Sequence, residues 1–149
     1  MSASSAERKF KVAMVGATGA VGETLISILK ERKFPISEFV PLASERSAGS
    51  QVDFGNQKVT VKDLATYDFD GVDIAFFSAG GSVSRAHAAR AAAAGAVVID
   101  NTSEFRYQDD IPLVVAEVNP EAIADYTTRG IIANPNCSTM QMLVALAPI

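Results

Sequence analysis

The chain has 149 residues, about one domain's length, with 48% apolar and 20% charged residues, the balance of an ordinary globular core rather than a disordered or fibrous sequence. A net charge of −4 without any run of Lys and Arg argues against a nucleic-acid partner, because proteins that grip phosphate backbones cluster their basic residues. The one cysteine excludes an internal disulfide, and no apolar stretch suits a signal peptide or a membrane span, so the expected setting is the cytoplasm with no membrane partner.

Residues 1–8 read as a polar tail, and a folded domain is expected over residues 9–149. Phe10-Lys11-Val12-Ala13-Met14-Val15 is a β-type run, and Gly16-Ala17-Thr18-Gly19-Ala20-Val21-Gly22 follows it directly. A helix comes next, with Val21, Leu25, Ile28 and Leu29 at helical spacing and Phe34-Pro35 as its stop. Strand, glycine loop and helix in that order suit a dinucleotide, since glycines allow the tight turn and the approach of backbone N–H groups to a pyrophosphate. The spacing is G-x-x-G-x-x-G, which meets the G-x-G-x-x-G fingerprint only in part.

Residues 39–43 form a second strand candidate, although Pro41 counts against a central place in a sheet. The loop Ser44-Glu45-Arg46-Ser47-Ala48-Gly49 bears on which dinucleotide binds. An acid near this position bonds a ribose 2′-OH, whereas an Arg accepts a 2′-phosphate. Ser44 and Ser47 around Arg46 make a phosphate clamp, which favours NADP with Glu45 turned outward; the bland reading is a solvated charge pair on a turn. Residues 51–61 read as a hairpin around Gly55-Asn56, inserted at the sheet edge.

Residues 72–77 predict a buried strand, and Ser78-Ala79-Gly80-Gly81-Ser82 a second small-residue loop. The alanine-rich stretch 83–94 predicts a helix closed by Gly95, with His87 read as structural. Strands are expected at 96–99 and 113–115, and Asn119-Pro120-Glu121 should cap a short helix to about Tyr126. Alternating strands and helices of these lengths imply a Rossmann-like, doubly wound α/β fold with a mostly parallel sheet.

The apolar run Ile131-Ile132-Ala133 then stops at Pro135, and a helical pattern begins at Cys137. A thiol in the first turn of a helix faces unpaired backbone N–H groups, the setting of a nucleophile; the bland alternative is a small buried hydrophobe. A cysteine beside a nicotinamide site suggests aldehyde oxidation through a thioester. Arg106, in the loop after residues 96–99, and Asn136 suit an anionic substrate group. For Arg106 the bland reading is an ion pair with Glu104, Asp109 or Asp110. No metal site is expected.

Taken together, Gly16 to Gly22, Ala43 to Gly49, Phe77 to Gly81, Asp100 to Arg106 and Asn134-Pro135-Asn136-Cys137-Ser138-Thr139 resemble the bacterial aspartate-semialdehyde dehydrogenases, from about Lys11 to the last residue. The resemblance implies NADP-dependent conversion of L-aspartate 4-semialdehyde and phosphate to L-4-aspartyl phosphate, on the way to diaminopimelate, lysine, methionine, threonine and isoleucine. It implies Cys137 as nucleophile and Arg106 with Asn136 at the phosphate. Cofactor contacts are implied at Gly16, Thr18, Gly19, Ala20, Val21, Gly22, Ser44, Arg46, Ser47, Ser78, Ala79, Gly80 and Asn101. Members of the family continue into a second, catalytic and dimerisation domain that carries the acid/base histidine. The 149-residue chain is therefore expected to be an inactive cofactor-binding portion of a homo-oligomer. N-acetyl-glutamyl-phosphate reductase shares the layout but places its cysteine after Pro-Gly, and glyceraldehyde-3-phosphate dehydrogenase keeps G-x-G-x-x-G. A non-catalytic nucleotide-binding module with a buried Cys137 is the reading from outside the enzymes.

Overall fold

The computed structural model describes residues 8–148, so all of the expected tail except Arg8 lies outside the described residues. Strand β1 is Phe10–Val15, with Val12 and Met14 packed on one face and Ala13 and Val15 on the other, all fully buried. Burial on both faces is why this run carries no polar residue beyond Lys11.

Further strands are β2 (Ile36–Ala43), β3 (Gln51–Phe54), β4 (Gln57–Thr60), β5 (Lys62–Asp63), β6 (Ile74–Phe77), β7 (Val97–Asp100) and β8 (Ile131–Ala133). Six of them pair in parallel in the order β5–β2–β1–β6–β7–β8. From β1 the chain works outward to β2 and β5, then returns to β6 beside β1 and works outward the other way. The loops after β1 and β6 therefore flank a reversal point, where doubly wound sheets open a crevice at the carboxyl ends of their strands. Helix α1 (Ala20–Glu31) covers the Val12–Met14 face through Ile26. Helix α2 (Gly81–Ala93) covers the opposite face through Ala88 and Ala91, and helix α3 (Cys137–Leu146) follows β8.

Pro41 lies within a strand that has neighbours on both sides, yet it breaks no ladder. The Leu42 carbonyl accepts from Gly16 N–H at 2.9 Å on the β1 side. Backbone groups alternate sides along a strand, so the N–H that Pro41 lacks would face outward, where β5 pairs only with Leu42 and Ala43. The hairpin forms as expected, with Gly55 at φ +68° in the first of its two loop positions, and Phe54 stacks on Phe39 at 4.5 Å to hold it on the sheet.

Four expectations need correction. Helix α1 buries Gly22, Ile26 and Leu29, while Val21 and Ile28 stay exposed, so its inner stripe is offset from the one the apolar residues mark. Residues 113–115 make only an isolated bridge, Leu113 to Ala133, because the next ladder bonds on either side would need N–H groups at Pro112 and Pro135, which have none; on the side away from β8 the Asn119 side chain accepts from Val115 N–H and donates to the Leu113 carbonyl. Those same bonds mean that Asn119 turns away from the helix it was expected to cap. Residues Pro120–Thr128 form a 3-10 helix with no side-chain cap.

Candidate active site

The first turn of α1 is assembled by glycine sterics. Gly16 sits at φ +89°, and a Cβ there would lie 2.6 Å from the Ser78 carbonyl oxygen, so the loops after β1 and β6 touch through it. A Cβ on Gly22 would collide with the Gly16 carbonyl. Gly19 differs: its φ is −92°, and its Cβ would meet nothing closer than Gly16 oxygen at 3.5 Å, an ordinary contact. Neither strain nor packing requires glycine at 19. An open face there leaves room for a ligand to approach the backbone.

Two helix N-termini open beside this loop without side-chain caps. In α1 the first helical bond runs from Glu23 N–H to Gly19, leaving the N–H groups of Ala20, Val21 and Gly22 without helical partners. In α2 the N-cap position, just before the helix, is Gly80, at φ +98°, with no side-chain cap. Uncapped N–H groups and the helix dipoles suit a diphosphate. Helix α3 contrasts with both, because Asn136 caps it by accepting from Ser138 N–H at 3.0 Å.

A cleft of about 480 Å³ runs along these loops, lined by Gly16, Thr18, Gly19, Ser44, Arg46, Ser47, Ser78 and Ala79 among the expected cofactor residues. The Ser44 and Ser47 hydroxyls bond no other side chain or backbone group, and Arg46 is in no ion pair, among the described residues. Val21 and Asn101 instead line a smaller pocket of about 100 Å³ beside Asn134, while Ala20, Gly22 and Gly80 line neither. A larger hollow of about 610 Å³ lies between β2 and the hairpin and gathers none of the expected site residues.

Arg106 is tied to the backbone rather than to a carboxylate. Its Nε donates to the Asn134 carbonyl at 2.8 Å and its Nη2 to the Asn101 carbonyl at 3.2 Å. Two of the three acids that offered the bland reading are otherwise engaged, since Arg85 holds Glu104 in a bidentate pair at 2.7 and 2.8 Å and Arg129 holds Asp110 at 2.7 Å, and among the described residues Asp109 makes no ion pair with Arg106. Arg85 in turn holds the Glu104 carboxyl below its ordinary value through those hydrogen bonds. Arg106 therefore clamps the loop after β7 to the segment that leads into α3, with its charge uncompensated by an acid among the described residues.

Cys137 is the first residue of α3 and is exposed, against the reading of it as a buried hydrophobe. Its thiol lies 3.7 Å from Asn136 Oδ1, which also accepts from the Ser138 hydroxyl at 2.7 Å. The Asn136 oxygen is thus committed to the cap, and only its NH₂ remains to serve an anion. Cys137 follows β8 and the Arg46 loop follows β2, four strands apart at the same end of the sheet. Neighbouring strands lie 4.7–4.9 Å apart, so the two loops are separated by about 19 Å. That is the order of span an extended dinucleotide covers from adenosine to nicotinamide.

Sequence reasoning missed the outer wall of the cleft, which is formed by Asp63, Leu64, Ala65, Val83 and His87. Read as structural, His87 proves to be half-buried in that wall. The signal was present, since Val83 and His87 are four residues apart on a helix that begins at the second small-residue loop, and so share the face beside the crevice.

The profile of a family described as semialdehyde dehydrogenase, NAD binding domain, matches residues 11–126. Aspartate-semialdehyde dehydrogenase of Legionella pneumophila is 61% identical over 142 residues, which are 95% of this chain and 41% of that protein. The crystal structure of aspartate semialdehyde dehydrogenase II from Vibrio cholerae complexed with ASA is 60% identical, with a TM-score of 0.92 over 95% of this chain and 46% of that one. Aspartate semialdehyde dehydrogenase from Candida albicans, solved with NADP, is 28% identical with a TM-score of 0.77, again over 95% and 46%. The chain thus spans about two-fifths of the length of the curated relatives it matches.

Proposed function

The chain belongs to the semialdehyde dehydrogenase family, which it matches through that family's NAD-binding domain, and on this premise we propose that it is the dinucleotide-binding and thiol-bearing part of an NADP-dependent phosphorylating aldehyde dehydrogenase. The substrates are L-aspartate 4-semialdehyde and phosphate and the product is L-4-aspartyl phosphate. Likeness to proteins named for that semialdehyde supports the choice. The same likeness supports a cytoplasmic homodimer feeding lysine, methionine, threonine, isoleucine and diaminopimelate synthesis, with residues 9–149 as the cofactor domain plus the start of the cysteine helix.

The principal expected residues then divide the work. The Cys137 sulfur bonds to the aldehyde carbon, and the carbonyl electron pair moves onto oxygen. NADP held in the cleft would supply the acceptor for the hydride that leaves this carbon. Loss of the hydride restores the C=O bond and leaves a thioester on Cys137. A phosphate oxygen attacks the acyl carbon, the C–S bond breaks and the thiolate is released. Arg106 and the Asn136 NH₂ hold the phosphate, Ser44, Arg46 and Ser47 hold the 2′-phosphate, and the glycine loop with α1 holds the pyrophosphate. His87 lines the cleft beside Arg46, and Cys137 is not among the described residues lining that cleft. The proton-transfer group is therefore supplied by another part of the protein, and residues 1–149 alone do not turn over.

The observation that carries this reading is an exposed thiol at the start of a helix whose entry segment is clamped by an arginine without an acidic partner. The test is phosphate-dependent reduction of NADP with L-aspartate 4-semialdehyde by the complete enzyme, with the catalytic domain present. Cys137→Ser should abolish turnover and leave NADP affinity within a few-fold of wild type; substantial residual turnover would show the nucleophile to be misassigned.

A further inference from the structure

We propose that His87 contacts the adenosine half of the dinucleotide, its imidazole forming the surface on which the adenine ring lies. The inference rests on the NADP reading above and extends it to a residue outside the glycine and Arg46 loops.

Three observations carry it. The first is position. With the pyrophosphate at the α1 N-terminus and the 2′-phosphate at Ser44, Arg46 and Ser47, the adenine has one remaining place in the cleft, between the Arg46 loop and the outer wall. His87 and Val83 present one face of α2 there, opposite Leu64 and Ala65.

The second is rigidity. One turn beyond His87, Arg90 donates to the Leu64 carbonyl at 2.7 Å and to the Ala65 carbonyl at 3.1 Å, and its guanidinium lies 5.5 Å from the Phe69 ring centroid. The Asp63 carboxylate accepts from Ala65 N–H at 3.1 Å and fixes the same turn from its other end. The helix and the loop after β5 are therefore tied at a set separation, and the slot between them exists before a ligand arrives. A preformed slot lowers the ordering cost of binding.

The third is chemistry. Val83, Leu64 and Ala65 supply apolar contacts but no aromatic face, and His87 is the one planar ring among the cleft-lining residues. Burial and the Arg90 charge lower the His87 pKa, against a smaller opposing effect from Asp63, which favours the neutral ring. An uncharged imidazole stacks on a purine without adding a second cation to the clamp that Arg46 already supplies.

The test is calorimetry on the full chain with adenosine 2′,5′-bisphosphate, NADP and nicotinamide mononucleotide. His87→Ala should weaken adenosine 2′,5′-bisphosphate and NADP by the same factor, about 5- to 100-fold by analogy with alanine substitution under stacked bases. Nicotinamide mononucleotide should be unaffected, a contrast that a merely misfolded cleft would not produce. His87→Phe should recover at least half of the loss in free energy and His87→Gln should not, which also covers the case in which the alanine variant fails to fold. Wild-type protein that ignores adenosine 2′,5′-bisphosphate would overturn the NADP reading itself. Wild-type protein that binds it, with His87→Ala or His87→Gln binding equally well, would overturn the role of His87 alone.

Discussion

The three glycines of the first loop should separate into two kinds when each is replaced by alanine. At Gly22 the added methyl collides with the Gly16 carbonyl, a backbone atom that cannot swing aside. The gain in helix propensity, about 1 kcal/mol, is set against overpacking of about 1–3 kcal/mol, so the net effect is a loss of stability. At Gly16 the positive φ adds conformational strain to a contact 2.6 Å from Ser78 oxygen, and the loss is larger. At Gly19 the backbone is already in a region alanine adopts. A poorer cap costs about 0.5–1 kcal/mol, and the stiffer unfolded chain returns about 0.4–1 kcal/mol, so stability stays nearly level. The Gly19→Ala methyl instead occupies the open face of the loop, displaces a pyrophosphate and forfeits at least one charge-assisted hydrogen bond. That is about 1.5–3 kcal/mol, or roughly 10- to 150-fold in affinity. Thermal unfolding of the full chain, read beside calorimetry with NADP, measures both quantities. The reasoning is refuted if Gly19→Ala keeps wild-type affinity, or if its melting temperature falls as far as that of Gly22→Ala.

Arg46→Ala should weaken NADP while leaving NAD nearly unchanged, and equal affinities for the two in wild-type protein would remove the basis of the clamp. Arg106→Ala should raise the Michaelis constant for phosphate and lower kcat/KM by about 2–3 kcal/mol, tens- to hundreds-fold, with NADP affinity within a few-fold. Arg106→Lys should recover little of that loss, because a single ammonium cannot hold the Asn134 and Asn101 carbonyls and an anion in one plane; full recovery would reduce the site to a point charge. Glu104 has a carboxyl lowered from its ordinary value of 4.5 by Arg85. Its contribution to stability is present above that value and is lost as pH falls through the lower folded-state value. Glu104→Gln should therefore flatten the acid limb of stability below about pH 4.5, and an unchanged limb would show the pair to be inert.

Sequence pattern located each strand of the parallel sheet except the two-residue β5, because burial on both faces leaves an uninterrupted apolar run that composition alone displays. It failed where proline removes a ladder donor. The run Leu113-Val114-Val115 reads as a strand, but its pairing beside Ala133 is bounded by Pro112 and Pro135, which have no N–H to extend it. Helix α1 misled for a different reason. Its close packing against the Gly16 turn uses Gly22, which has no hydrophobic signal, and this rotates Val21 outward. Loops that carry chemistry were legible as small-residue clusters after strands, whereas the wall at His87 was marked only by the four-residue spacing from Val83, a much weaker signal on an alanine-rich helix.

Pro41 has a consequence for the sheet as a template. From Ile36 to Pro41 the outer side of β2 carries no β5 partner and is covered instead by the hairpin, with Phe54 on Phe39 and Pro41 fully buried; were that cover to open, the unpaired run of donors and acceptors is where a strand from another molecule can add itself. The missing donor at Pro41 interrupts that run directly beside the short β5, so an invading strand loses a bond where it would meet the native one. The residue that made β2 hard to recognise thus works against runaway pairing, and it sits at the end of the strand that delivers Ser44 and Arg46 to the cleft.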